Sequence, residues 1–173
     1  MVTIIFTFPS IEMNIMTKNM KSQTSFEWKI SKDAMTLVLP PGEFREIIGE
    51  CVVRKPGEQK GIVLRALWDT GCTNPHIAQR VADVLGLEPC GVGRSVSVDH
   101  YSVDKAYKAD IIFPIKKGIS NHRVYTCPLP EIDVLIGLDI IKICDFAISC
   151  NADGNVVCSI RMPSRGATDY TDD

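Results

Sequence analysis

Two stretches of the sequence decide the fold: Ala66-Leu67-Trp68-Asp69-Thr70-Gly71 and, later in the chain, Glu131-Ile132-Asp133-Val134-Leu135-Ile136-Gly137-Leu138-Asp139. In the first, an apolar strand delivers one carboxylate, Asp69, to a loop. Thr70 can hydrogen-bond across a neighbouring loop, and Gly71 lets the chain turn sharply past the carboxylate. Alone, this triplet is also a common surface turn. In the second stretch, an apolar strand meets Gly137 and then an amphipathic turn.

The rest of the chain predicts mostly strands. Alternating or β-branched runs bounded by turn residues predict strands at Phe26–Ile30, Met35–Leu39, Ile47–Arg54, Ile62–Trp68, Ser95–Val98, Val103–Phe113, Val124–Cys127, Val134–Ile136, Phe146–Cys150 and Asn155–Ile160. One clear helix is predicted after the triplet, with Asn74 as N-cap, Pro75 at the first helical position and Gly86 just past the end. The stretch from Gly137 to about Lys142 is compatible with one more helical turn. The pattern indicates a mainly β domain.

Length and composition bound the function classes. The chain has 173 residues, 45% of them hydrophobic and 23% charged, which is ordinary for one globular domain. The net charge is -2, so a generic nucleic-acid partner is disfavoured. Seven cysteines cannot all pair within one chain, which favours a reducing, cytoplasmic location. The apolar amino terminus lacks a basic region and a cleavage site, and it is too short and interrupted to span a membrane.

We expect three segments along the chain. Residues 1–25 are predicted to be an arm, or a start assigned too early, with little weight in the fold. Residues 26–163 are predicted to form the domain. Residues 164–173, which are small, polar and acidic, are predicted to be a flexible tail.

Together, the two stretches resemble the signatures of retropepsin-like (retroviral-type) aspartic peptidases. Leu67–Gly71 is similar to the catalytic Asp-Thr-Gly loop, and Leu135, Ile136 and Gly137 are similar to the structural strand that passes behind it. Residues 77–87 resemble a helix of the bacterial-type branch, and Cys144–Ser149 and Asn155–Pro163 resemble its closing strands. The resemblance implies a half-barrel with Asp69, Thr70 and Gly71 as catalytic residues.

The resemblance also implies how the site would be completed. Aspartic peptidases need two carboxylates that share one proton, and this chain contains one Asp-Thr-Gly. The implied enzyme is therefore a symmetric homodimer that hydrolyses peptides or proteins without a cofactor or metal. The substrate-binding flap would carry Asp99, His100, Tyr101 and Ser102. Asp139 would not be the second acid and is expected to cap the turn that begins there.

Departures from the family pattern keep alternatives open. The flap tip, residues 99–103, has no glycine, which favours a rival: a catalytically weak, dimeric peptide-binding module on the same fold. Cys72 follows the triplet where Ala, Ser or Thr is usual. We expect replacement of Cys72 by Ser to move the alkaline limb of the pH–rate profile to lower pH.

Cys72 and His76 have the spacing of half a zinc site, and Cys72 could also be a nucleophile with a distant His. A thiol that only packs beside the loop is the better interpretation of Cys72. His100 and His122 are expected to be solvated. Trp68, Tyr101 and Tyr107 could line a peptide cleft, but aromatic residues on strands are expected to lie in the core.

Overall fold

The computed structural model describes residues 5–7, 13–14, 27–42, 45–96 and 101–166. These residues are mainly in strands, which confirms the prediction of a mainly β domain. The strands are β1 (Ile5–Thr7), β2 (Met13–Asn14), β3 (Lys29–Ile30), β4 (Ala34–Leu39), β5 (Ile47–Arg54), β6 (Gly61–Trp68), β7 (His76–Ile77), β8 (Gly91–Val96), β9 (Tyr101–Ile112), β10 (Lys117–Thr126), β11 (Val134–Ile136), β12 (Asp145–Cys150) and β13 (Val156–Arg161). The two helices are α1 (Gln79–Val84) and α2 (Leu138–Ile141).

The larger sheet closes on itself. Its strands follow the order β1-β10-β7-β11-β6-β5-β9-β8, and a further pairing of β10 with β9 closes six of them into a ring. Inward-facing apolar residues of these strands fill the ring, among them Val53, Ile77, Ile111 and Ile136, all at most 1% exposed.

A smaller, four-stranded sheet in the order β12-β13-β4-β3 packs beside this ring. Its inner face alternates as expected for a sheet with one buried side, since Met35, Leu37 and Leu39 are 2% exposed while Thr36 and Val38 are half-buried. Aromatic rings connect the two sheets: Trp68 lies 4.9 Å from Phe113 and 6.0 Å from Phe146, between ring centroids. The strand that ends at Asp69 is therefore supported from both sheets.

The two ends of the chain make contacts that the sequence did not predict. Ile5–Thr7 pairs antiparallel with β10, and Met13–Asn14 pairs parallel with β6. Ser164 Oγ and Arg165 N–H donate hydrogen bonds to Asp145, so the ordered contacts reach Arg165. Residues 167–173 lie outside the described part of the chain. None of the helices among the described residues has the length and apolar character needed to cross a membrane.

The predicted helix start is wrong. Asn74 and Pro75 do not begin a helix; His76 and Ile77 instead form β7, and α1 begins at Gln79 after Ala78, without a side-chain cap. The reason is competition for the backbone: Tyr125 N–H donates to the Pro75 carbonyl and Cys127 N–H to the Ile77 carbonyl. Sheet pairing therefore overrides a favourable local helix signal. The C-terminal prediction is confirmed, because Gly86 has φ +58° directly after the C-cap.

The second signature strand lies behind the first. β11 pairs parallel with β6 in the register Val134↔Ala66 to Ile136↔Trp68. The chain then passes Asn74 so closely that a Cβ on Gly137 would lie 2.6–2.9 Å from the Asn74 backbone. Gly137 itself has φ -89° and ψ 177°, which any residue adopts. Glycine is therefore required here for space and not for its backbone angles.

Replacing Gly137 with Ala should destabilise the protein by about 3 kcal/mol, because neither backbone can move without breaking strand pairing. Denaturant unfolding followed by circular dichroism measures this change. Gly57→Ala is the control. Gly57 has φ +85°, and a Cβ added there would have no neighbouring atom within 4 Å, so only backbone strain of about 1 kcal/mol is expected. Equal losses for the two variants would contradict the close-packing account.

Candidate active site

The Asp69 side chain is held by the backbone of its own loop. Asp69 N–H donates to the Ile136 carbonyl at 3.0 Å, which continues the pairing of β6 with β11. Gly71 N–H donates to Asp69 Oδ1 at 2.7 Å, so the carboxylate is oriented by the turn that follows it. Asp69 is half-buried, whereas Thr70 and Gly71 are exposed. The loop therefore presents a fixed carboxylate with open surface beside it.

The residues after the triplet are tied to the beginning of α2. Leu138 N–H donates to the Cys72 carbonyl at 2.7 Å, and Asp139 N–H donates to the Thr73 carbonyl at 3.0 Å. These donors are among the first N–H groups of α2, which have no partner within the helix. Together with the close approach of Gly137, they connect the two sequence signatures directly.

Cys72 faces His76, as the spacing suggested, but on a turn and not across a helix. Its Sγ donates to the Asn74 carbonyl at 3.0 Å and lies 3.3 Å from His76 Nδ1, which is itself 2.9 Å from the same carbonyl. Burial raises the pKa of the Cys72 thiol, and the nearby Asp69 carboxylate acts in the same direction. Cys72 is therefore a neutral thiol near pH 7, which does not suit a nucleophile.

Metal-binding residue types do not cluster within the described ranges. No group of three or more His, Cys, Asp or Glu side chains there is arranged to hold a metal ion.

The predictions for His122 and Asp139 are corrected. His122 is not a solvated loop residue: it lies on β10, and its Nε2 is 2.8 Å from Asp139 Oδ2, with both side chains at most 20% exposed. Asp139 does not cap α2 through its side chain, because the N-cap is Gly137. The Asp139 carboxylate instead ties α2 to β10, and its Oδ1 is buried without a partner.

A buried ion pair sets the position of His122. Asp110 is 1% exposed and accepts hydrogen bonds from Arg54 Nε at 2.9 Å, Ser120 Oγ at 2.7 Å and Asn121 N–H at 2.8 Å. These bonds stabilise a bulge between Ile119 and His122, where the register of β10 on β9 shifts. Removing either charge of such a pair would leave the other buried and unpaired.

The hairpin of β8 and β9 occupies the place predicted for the flap. Tyr101 and Ser102 lie on β9, whereas Asp99 and His100 lie outside the described residues. Tyr101 is 56% exposed, and Ser102 Oγ donates to Asp104, which also accepts from Ser95 Oγ. The hairpin therefore has an internal polar network near its predicted tip.

Of the predicted site residues, Asp69, Thr70 and Gly71 lie beside Leu135, Ile136 and Gly137, because β6 and β11 are paired. Trp68 and Tyr107 are buried in the core, as expected, but the same expectation is wrong for Tyr101, which is 56% exposed near the end of the β8–β9 hairpin. Sequence reasoning missed the pairing of Asp139 with His122. The polar residues around His122 gave no sign that a β-bulge would turn it toward α2.

Comparison with known proteins gives structural likenesses only. No family model and no curated protein sequence matches the chain. Among solved structures, a retropepsin-like aspartic protease from Rickettsia conorii aligns with 79% of this chain and 98% of its own, with a TM-score of 0.47 and 8% identity. The protease of simian foamy virus (mac) aligns with 54% and 92%, with a TM-score of 0.38 and 13% identity. The foamy viral protease–reverse transcriptase aligns with 53% and 11%, with a TM-score of 0.38 and 18% identity. These are proteins to which the chain is similar in backbone shape.

The partners of Cys72 revise the expected effect of serine at this position. A serine hydroxyl can donate to the Asn74 carbonyl as the thiol does, so it has a partner other than Asp69. In any Asp69-dependent peptide cleavage, Cys72→Ser should therefore leave the alkaline limb of the pH–rate profile unchanged, with Cys72→Ala as the matched control. A shift of that limb to lower pH in the serine variant alone would show that the hydroxyl turns to the carboxylate.

Proposed function

We propose that this chain is an aspartic endopeptidase that hydrolyses peptide bonds as a symmetric homodimer, with one Asp69 from each copy. The observation that carries the proposal is the Asp69 loop. Its carboxylate is oriented by the Gly71 N–H at 2.7 Å, is only half-buried, and sits on a backbone braced by β11 and α2. Thr70, exposed beside it, would lock the two loops together across the two-fold axis.

The reaction needs both carboxylates in different protonation states. Two carboxyl groups about 3 Å apart cannot both ionise, so the pair holds one proton. The ionised carboxylate accepts a proton from water as the water oxygen bonds to the peptide carbonyl carbon. The protonated one donates a hydrogen bond to the carbonyl oxygen. When the tetrahedral intermediate collapses, the C–N bond breaks and the nitrogen leaves with a proton from the pair.

Two features of this chain support a homodimer. The sequence contains one Asp-Thr-Gly, so a single chain offers half of the required pair. In addition, β12 is an edge strand that pairs only with β13 among the described strands, and residues 146–150 carry no charge. Edge strands of monomers are usually protected by charges, prolines or bulges.

The inner face of the smaller sheet is uncovered at one end, which also supports a homodimer. Ile148 faces the same side as buried Ile160 and Cys158 but is 47% exposed. A second copy of β12 would pair with this edge and cover Ile148. Phe146 of the same strand packs on Trp68, the residue before Asp69, so this edge is linked to the Asp69 loop through one aromatic contact.

The thiols support a cytoplasmic location for the proposed enzyme. All seven cysteines are free, and burial raises the pKa of Cys127 to about 11 and those of Cys144 and Cys158 to about 12. Free thiols in this number fit a reducing cytoplasm.

A second candidate function is a dimeric peptide-binding module with little turnover. The observation that favours it is the absence of glycine from residues 99–103, where a closing flap needs a tight turn. The intact Asp-Thr-Gly is the observation against it.

The two functions are separated by cleavage of a fluorogenic peptide library. Asp69→Asn should lower the cleavage rate by at least about 10³-fold, because an amide cannot accept the proton from water. Glu58→Gln, the same change of charge on an exposed turn, should leave the rate unchanged. A peptide analogue with a hydroxyl in place of the scissile carbonyl should bind the wild type more tightly than the parent peptide. If neither protein cleaves while both bind peptides equally, the binding module is the correct function.

A further inference from the structure

A cleft opens where β9 and β10 part. The pairing of these strands runs from Gly118↔Ile112 to Tyr125↔Ala106 and then stops, although β9 extends to Tyr101. The chain that leaves β10 contains Pro128 and Pro130, which have no N–H to donate to a neighbouring strand. This composition ends the pairing, so among the described strands the beginning of β9 pairs with β8 alone.

The space between the parted strands, here called the Val103 cleft, has a volume of about 690 Å³. Three segments line it: residues 78–80 at the beginning of α1, residues 103–105 of β9, and residues 126–130 after β10. None of them belongs to the Asp69 loop, so the cleft is separate from the proposed catalytic groups.

One wall of the cleft is an edge of β9 that pairs with no other strand in the described part of the chain. Thr126 Oγ1 donates to the Lys105 carbonyl at 3.4 Å, so the backbone of Lys105 faces the cleft and not β8. Successive residues of a strand direct their backbone groups to opposite edges of the strand. Val103 is two residues from Lys105, so its N–H and C=O face the cleft as well. On this side Val103 has no strand partner among the described residues. An extended chain could pair with it as a further strand.

The side chains of the cleft favour a peptide strand that carries both apolar side chains and a carboxylate. Val103 is 60% exposed, Ala78 and Leu129 are apolar, and the half-buried Cys127 thiol is neutral at pH 7 because burial raises its pKa to about 11. Lys105 is exposed and has no ion pair within the described ranges.

Of the three charged side chains that line the cleft, Lys105 is the one without an ion pair or hydrogen bond among the described residues. Arg80, the other cation, is already paired with Asp133 at 2.8 Å. The one carboxylate in the lining, Asp104, already accepts hydrogen bonds from Ser95 and Ser102.

We propose that the Val103 cleft binds an extended acidic peptide segment that adds to β9 as a strand, with a carboxylate beside Lys105. The segment belongs to the protein substrate, at a distance from the cleaved bond. This identification of the ligand rests on the proposed peptidase function. The cleft then selects substrates by a sequence that is not itself cut.

Binding is measured by fluorescence anisotropy on the full chain carrying Asp69→Asn, so that cleavage does not interfere. The probe is a fluorescein-labelled peptide of alternating Glu and Val, compared with alternating Lys and Val. The acidic peptide should bind at least about 10-fold more tightly. Lys105→Glu should weaken its binding by about 10-fold or more, because a like charge then faces the ligand. Lys60→Glu, the same change at an exposed position beyond the other end of the sheet, should have no effect.

The strand pairing is tested on the peptide, so that no variant of the protein needs to fold. N-methylation of alternate amides of the acidic peptide removes donors on one edge, and N-methylation of the other amides removes those on the opposite edge. One of the two methylated peptides should lose binding and the other should keep it. The proposal would be overturned if the two methylated peptides bound equally, or if the acidic peptide bound equally to the Lys105→Glu and Lys60→Glu variants. It would also be overturned if the acidic peptide did not bind. These outcomes do not depend on catalysis: loss of Lys105-dependent binding leaves Asp69-dependent cleavage standing, and absence of cleavage leaves the cleft standing.

Discussion

The contact between Gly137 and the backbone of Asn74 is the constraint on which the rest of the site depends. It allows β11 to lie parallel to β6 and lets α2 begin directly against the loop after Asp69. Leu138 and Asp139 can then donate their free N–H groups to the carbonyls of Cys72 and Thr73. The carboxylate of Asp69 is consequently positioned by backbone hydrogen bonds, which need little reorganisation during a reaction.

The parts of this arrangement that follow from local sequence could be predicted. The apolar runs before Asp69 and Gly137 predicted β6 and β11 to within a residue, because both strands are bounded by residues that end strands for simple steric reasons. The family resemblance singled out Gly137, but its close approach to the Asn74 backbone was not predicted.

The features that were missed depend on contacts between segments far apart in sequence. Asn74 and Pro75 carry a good helix-start signal, but the carbonyls of Pro75 and Ile77 are taken by β10, about 50 residues later. His122 reads as a solvated residue until the bulge held by Asp110 turns it toward Asp139. The Val103 cleft arises because Pro128 and Pro130 end a pairing that the alternation of β9 alone would continue. No single window of sequence contains these partners.

The central claim is that each active site takes one Asp69 from each of two copies. The most direct measurement mixes wild-type protein with Asp69→Asn at constant total concentration, allows the copies to exchange, and follows peptide cleavage as the wild-type fraction falls. If the two carboxylates come from different chains, activity should follow the square of that fraction, so that an equal mixture retains about a quarter of the wild-type rate. A linear decline, with about half of the rate left in the equal mixture, would mean that a single chain carries the whole site and would contradict the account.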